Sequence, residues 1–335
     1  MSGARAGGAR LLLALLALAC VVPPAAEAQP ACRPCRIGVV NEAFAANHPT
    51  VEGLKAGLRE LGLREGRDVA FDVRFTEGKV EGMPTVASAL VQAGVDLIFT
   101  SHEAATHAAK DVTATQEETT KRTPVVFTLV GDPAASGVVT NLAEPEANVT
   151  GVSSLQTELV AKRMEMLKTL VPGLRRVWVI HYGGDLTATV MVVRALDAAR
   201  RLGLDLIPRE VFSSQELAQT LRELRRGDAV LAPEATALDI PTSILAASLK
   251  ARIPAAFTSA LWVGHGGLVS YGPDYYAQGV QAAELVARIL RGTKPRDLPV
   301  EGAERIDLAV NLKTADLLGI TVPRKVLLRA DTFRR

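Results

Sequence analysis

What most constrains this chain is a rhythm: short apolar runs of strand length alternate with amphipathic stretches of helix length over most of its 335 residues. Residues 37–40 form an apolar run, and 51–61 place apolar side chains on one helical face until Gly62 ends the turn. Val69, Phe71, Val73 and Phe75 alternate with Ala70, Asp72 and Arg74, the pattern of a strand with unequal faces. A helix is expected over 83–93, a buried strand over 95–100, a helix over 104–115 and a strand over 125–129 behind Pro124. After Thr150-Gly151 the rhythm resumes with helices at 158–170, 187–202, 217–226 and 242–250, separated by strands at 177–181, 206–211, 229–232 and 253–257. Each crossover is long enough to join parallel strands, so the chain is α/β. The length suits two units of about 100–150 residues, and two sheets are more natural than one of ten or more strands.

An open parallel sheet gathers its ligand groups beyond the carboxyl ends of its strands. In this chain those positions hold Asn41, Glu42 and nearby Phe44; Ser101 and His102; Asp132 within Gly131–Pro133; Thr150; His181 and Tyr182; Glu234; and Thr258. These are the candidate ligand-binding residues. Each Ser, Thr, Asp or Asn among them has a second reading as a helix cap that touches no ligand. His48 and His107 read as packing or surface residues.

The N-terminus departs from the rhythm. Arg5 and Arg10 precede an apolar run over 11–22, followed by Pro23, Pro24 and the small-x-small triplet Ala26-Glu27-Ala28. This is the pattern of a signal peptide over 1–28, cut before Gln29. The run is too short to span a ~30 Å hydrocarbon core. Lipid modification at Cys20 is the alternative, although Ala17 stands where lipoprotein signals usually have Leu. Either outcome places the protein in the periplasm or on the extracytoplasmic face of the membrane, soluble or lipid-anchored. The whole chain has a formal net charge of +2, and loss of two arginines and one glutamate leaves it nearer neutrality. No overall basic field is left to hold nucleic acid. Cys32 and Cys35 remain as a C-x-x-C pair before the first strand, whereas a redox pair would open a helix after one. A structural bridge, free thiols and metal capture stay open, and two thiolates do not complete a zinc site.

Longer motifs carry a family resemblance. Gly131-Asp132-Pro133, Gly137-Val138-Val139 and Asn148-Val149-Thr150-Gly151 are followed by Gly266-Gly267-Leu268-Val269-Ser270-Tyr271-Gly272-Pro273, then by "RILRGTKPRDLPVE" and "LAVNLKTADLLGITVP". With the opening "LKAGLRELGLREGRDV", their order and spacing resemble the ABC-transporter substrate-binding family that includes tryptophan- and tyrosine-binding members. The resemblance implies the periplasmic-binding-protein type I architecture: two Rossmann-like lobes with parallel sheets, joined by hinge crossovers around a ligand cleft. It implies an N-terminal lobe of 36–150 plus about 268–298, and a C-terminal lobe of 151–267 plus about 299–330. It also implies a monomer that takes up a small-molecule solute and delivers it to an ABC permease with a cytoplasmic ATPase. Tyr271 joins the candidate site through this motif. Family members often carry an arginine in the helix after Tyr-Gly-Pro, where this chain has Gln278-Gly279, so a cationic partner for a carboxylate is absent there or supplied elsewhere.

No G-x-S-x-G elbow, H-E-x-x-H, P-loop or clear G-x-G-x-x-G fingerprint occurs, so no cofactor is expected and the chain reads as a binding protein rather than an enzyme. An exported ligand sensor and a hydrolase-type cleft enzyme are the alternatives. The expected solute is small and partly apolar, an amino acid or related carboxylate in preference to a sugar. Ser101, Asp132, Thr150 and Thr258 offer polar contacts, Phe44, Tyr182, Trp262 and Tyr271 offer flat ones, and the loops are poor in the Asn, Asp and Gln that sugars use.

Overall fold

The computed structural model describes residues 32, 34–42, 47–116, 122–145, 148–234 and 237–334. The expected signal peptide, Cys20, Phe44 and nearly all of the polar 116–121 segment lie outside the described residues.

The first half runs β1 (Cys35–Asn41), α1 (Pro49–Glu60), β2 (Val69–Phe75), α2 (Met83–Gln92), β3 (Leu97–Ser101), α3 (Glu103–Ala114), β4 (Val125–Val130) and β5 (Val149–Ser153). The second runs α4 (Gln156–Leu170), β6 (Arg176–Tyr182), α5 (Leu186–Leu202), β7 (Asp205–Val211), α6 (Ser214–Glu223), β8 (Asp228–Leu231), α7 (Ile240–Ala251), β9 (Ala255–Phe257), α8 (Ala260–Gly264) and β10 (Val269–Pro273). The chain closes with α9 (Tyr275–Leu290), β11 (Glu301–Gly302), β12 (Ile306–Asn311), α10 (Leu312–Leu318), α11 (Arg324–Leu327) and β13 (Thr332–Arg334).

These strands form two sheets, in the orders β11-β5-β4-β3-β1-β2 and β13-β12-β10-β9-β8-β6-β7. Pairing is parallel except between β10 and β12. Strands β3 and β4 are buried along their whole length, as continuous apolar runs covered on both faces must be. In the first lobe, Leu54, Leu58, Val286 and Leu290 of α1 and α9 cover one face, and Leu90 and Ala105 of α2 and α3 cover the other. In the second, Met164, Leu167 and Met191 of α4 and α5 cover one face, and Leu217 and Ile244 of α6 and α7 the other.

The chain passes between lobes between β5 and α4, between β10 and α9, and between β11 and β12. The first passage falls after Ser153, because β5 pairs with β4 through its end. The expected return at about residue 268 is corrected for its opening strand. Val269–Pro273 pairs with β9 and β12 in the second sheet, and α9 is the element that packs onto α1 in the first lobe. An apolar five-residue run carries no mark of which sheet it joins; that is set by its neighbours in space.

Cys32 and Cys35 are joined as a disulfide, the bridge reading of the C-x-x-C pair. Among the described residues no helix is long and apolar enough to cross a membrane.

Candidate functional site

Both sheets reverse strand order once, between β1 and β3 in the first and between β6 and β8 in the second. Loops leaving such a pair diverge to opposite faces and open a crevice at the carboxyl ends. Glu42 follows β1, Glu103 opens α3 just beyond β3, Asp185 follows β6 and Glu234 follows β8. Thus each of the four strands flanking a crevice delivers a carboxyl group, and all four groups are buried.

The lobes meet across these groups. The Glu103 carboxylate accepts hydrogen bonds from the backbone N–H of Leu186 (3.2 Å) and of Thr187 (3.3 Å), and from the Thr187 hydroxyl. Its acceptors therefore face the open N-terminus of α5, where unpaired N–H groups are concentrated. Asp185 caps that helix through the N–H of Ala188 (2.8 Å). Glu234 accepts from the Ser154 hydroxyl in the β5–α4 passage. Glu42, Glu103, His107, Tyr182 and Asp185 line a cavity of ≈ 290 Å³ whose remaining wall includes Val80, Met83 and Pro84. Glu103 and Asp185 also line a void of ≈ 10 Å³ with His102, Gln156, Thr187 and Glu234. The two spaces share a carboxyl-bearing wall.

Burial is the largest influence on the protonation of Glu103, Asp185 and Glu234. Desolvation raises the Asp185 pKa above the ordinary carboxyl range, with further upward pushes from Glu103, Glu42 and Glu234. Burial likewise raises Glu103, against its hydrogen bonds to Thr187, and lifts Glu234 to about 7 despite the Ser154 hydroxyl and the Arg163 charge. His102 is driven down to about 4 by burial, so it is neutral at pH 7. His102 and Leu129, both at the wall of the small void, hold left-handed backbone at φ 71° and 58°. For non-glycine residues that costs ~1–3 kcal/mol each, a strain that concentrates at functional sites.

The raised carboxyls set a pH dependence. A group whose pKa is higher in the closed form than in water favours that form while protonated, and the contribution disappears as pH rises through the closed-form value. Above about pH 6.5 an unperturbed histidine is mostly neutral as well, so between about pH 8.5 and 6.5 the carboxyls dominate. Lowering pH through that window is expected to compact the solute-free protein, measured as a falling radius of gyration by small-angle scattering. An expansion, or no change, would contradict the assignment.

Of the sequence candidates, the structure brings Glu42, His102, Tyr182 and Glu234 to these cavity walls. Asn41 is buried at the end of β1, beside Glu42. The other described candidates line neither space. Ser101 hydrogen-bonds Thr50 (3.0 Å) and Thr128 (3.4 Å), and Thr150 donates to the Leu298 carbonyl (2.9 Å). Asp132 accepts from the N–H of Ala135 (3.0 Å) and the Thr157 hydroxyl (3.0 Å), while the Thr258 hydroxyl meets that of Tyr275 (3.3 Å). His181 is buried with Nδ1 3.3 Å from the Tyr182 carbonyl, and Tyr271 packs against the core of the second lobe. These contacts fit the scaffold reading. Sequence reasoning missed Glu103, Gln156, Asp185 and Thr187; a signal existed, since Glu103 and Asp185 lie only two or three residues beyond strand ends.

Comparison with known proteins agrees with this architecture. Residues 42–334 match the family model described as ABC transporter substrate binding protein. A conserved domain protein from Vibrio cholerae superposes with a TM-score of 0.81 at 27% identity, covering 90% of this chain and 100% of its own. A Streptococcus pneumonia protein crystallised with L-Trp superposes with a TM-score of 0.79 at 25% identity, over 89% of this chain and 99% of that one. A tyrosine-binding protein of Clostridioides difficile is 25% identical over 297 residues, 85% of this chain and 82% of its own length. With two parallel-sheet lobes closing on a shared crevice and a match over nearly all the described residues, the chain belongs to the ABC transporter substrate-binding family, whose members bind solutes and do not catalyse reactions.

Proposed function

We propose that this protein is the extracytoplasmic receptor of an ABC importer, closing its lobes on a small, partly apolar organic solute that carries an amino group: an amino acid or a close derivative. The observation that carries this reading is the interlobe wall of Glu42, Glu103, Asp185 and Glu234 beside an apolar chamber of ≈ 290 Å³. That volume lies at the lower end for small-molecule sites and suits a compact solute better than a disaccharide or nucleotide. Buried acceptors answer an ammonium group, while Met83, Pro84 and Val80 answer its apolar part. L-Trp in the Streptococcus pneumonia relative and tyrosine binding by the Clostridioides difficile relative support the same class.

The test is a thermal-shift screen of the mature protein against amino acids, amines, nucleosides and sugars, with every positive taken to calorimetry. An amino-bearing compound binding one-to-one is the expected result. Tight binding of a sugar, with no response to any amino compound, would remove the solute class and leave the receptor assignment standing.

A further inference from the structure

Arg163 sits on α4 and is only 1% exposed, a charged side chain in the interior of the protein. One of its donors is used: Nη2 gives a hydrogen bond to the Gln156 carbonyl (3.0 Å). Nε and Nη1 are buried with no hydrogen-bond partner, and no ion pair joins Arg163 to a described carboxylate. Glu234 feels the Arg163 charge without pairing to it; burial lifts that carboxyl to about 7, and it accepts instead from the Ser154 hydroxyl. A guanidinium held this way has given up its water and gained no anion in exchange, which is costly unless an anion arrives from outside.

The local backbone sets where the unused donors stand. Long side chains on a helix run back toward its N-terminus. Arg163 does so across a separation of seven residues, which carries its guanidinium to the first turn of α4, where Gln156 lies. Gln156 and Glu234 line the ≈ 10 Å³ void between the lobes, so Arg163 stands just behind that wall without lining it. Tyr275 at the start of α9 feels the same positive charge, and one turn further on the buried Gln278 amide leaves both its polar atoms unpaired. The void is too small for any solute group, so a solute must widen it. Gln156 is the side chain suited to yield, because its buried Oε1 has no partner to hold it in place.

The shape of the guanidinium selects the anion. Nε belongs to one edge of the planar fork and Nη1 to another, so whichever edge meets a carboxylate offers an unused donor. Charge-assisted bonds of this kind are the strong ones, and they would supply the countercharge that Arg163 lacks. Glu234 places an acceptor for an ammonium on the same void. A donor and an acceptor this close together match the neighbouring carboxylate and ammonium of an α-amino acid.

We infer that Arg163 is the specificity residue for a free carboxylate: the solute is an α-amino acid with an unmodified acid group, which displaces the Gln156 side chain and pairs with the Arg163 guanidinium while its ammonium faces Glu234. This rests on the interlobe cleft being the site of an amino-bearing solute, and it excludes amines, esters and amides of the same body as equal ligands.

The test is calorimetry of the mature protein with L-tryptophan, L-tyrosine, L-phenylalanine and L-leucine, any other amino acid positive in the thermal-shift screen, and the carboxamide of each. An amide keeps the ammonium and the apolar body and removes only the negative charge. Each pair is repeated on Arg163→Met and Arg163→Gln, two neutral replacements of which one folded variant suffices. At least one free amino acid is expected to bind wild type at least about tenfold more tightly than its amide. In the variants that preference should fall to about one, because the acid loses at least about tenfold while the amide keeps its affinity. Amides binding wild type as tightly as the acids would overturn the carboxylate contact and leave the amino-bearing solute standing. Acid and amide weakened equally by the variants would make Arg163 part of the scaffold and overturn its assignment. If no free amino acid binds wild type, this inference falls together with the amino-acid reading.

Discussion

Replacing Gly279 with leucine is expected to cost this protein about 3 kcal/mol or more, the upper range for overpacking a buried contact. Helices α1 and α9 meet backbone to backbone: a Cβ on Gly279 would stand 2.1 Å from the Thr50 carbonyl oxygen, and one on Gly53 2.0 Å from that of Tyr276. Neither obstacle is a flexible side chain that can swing away, so the helices must separate. Ala282, Ala283 and Val286 of α9 and Leu54 and Leu58 of α1 would then lose contact within the first-lobe core. In a chain of this size the penalty corresponds to a fall in melting temperature of at least about 4 °C. Gly173→Ala is the control, since nothing lies within 4 Å of its added carbon. Equal melting of the two variants, followed by calorimetry, would remove this contact from the account.

Removing Glu103 should have the second large effect, on the equilibrium between open and closed lobes. The carboxylate draws two backbone N–H groups and one hydroxyl of α5 toward α3, and no other residue stands between those helix ends in these three bonds. At about 0.5–1.5 kcal/mol net per bond, Glu103→Ala is expected to disfavour closure by about 2 kcal/mol, roughly thirtyfold. Deleting the carboxyl also removes a like-charge neighbour of Asp185, which works in the opposite sense. Near pH 6.5, where burial keeps much of this wall protonated, that relief is small and the lost bonds dominate. Thr187→Val removes only the hydroxyl and should cost about a third as much. An interlobe distance unchanged by Glu103→Ala would show that the contact holds nothing closed.

The α/β alternation was legible because apolar period and helix length are local properties. Residues 206–211 and 187–202 anticipate β7 and α5 to within a residue. The placement of β10 was not legible, since pairing of Val269 with Ala256 and Val310 is a long-range choice. The site was half legible for the same reason. Strand-end reasoning reaches Glu42, His102, Tyr182 and Glu234, but many polar strand-end residues bond the scaffold, as Thr150 does with Leu298. Glu103 and Asp185 look from sequence like ordinary first-turn and capping acids. Only the apposition of α3 with the N-terminus of α5 makes them one wall.

The central claim is that solute binding selects the closed arrangement of two lobes, which requires that the solute bind that arrangement better than the open one. Its most direct test is the distance between the lobes in solution. Exposed Glu81 beside the chamber and exposed Thr189 on α5 lie on opposite lobes and accept spin labels through Glu81→Cys and Thr189→Cys, with Cys32 and Cys35 already paired. Pulsed dipolar spectroscopy should give a longer and a shorter distance without solute, and the shorter one alone when a compound positive by calorimetry is saturating. A distribution that stays the same at confirmed saturation would contradict closure on the solute.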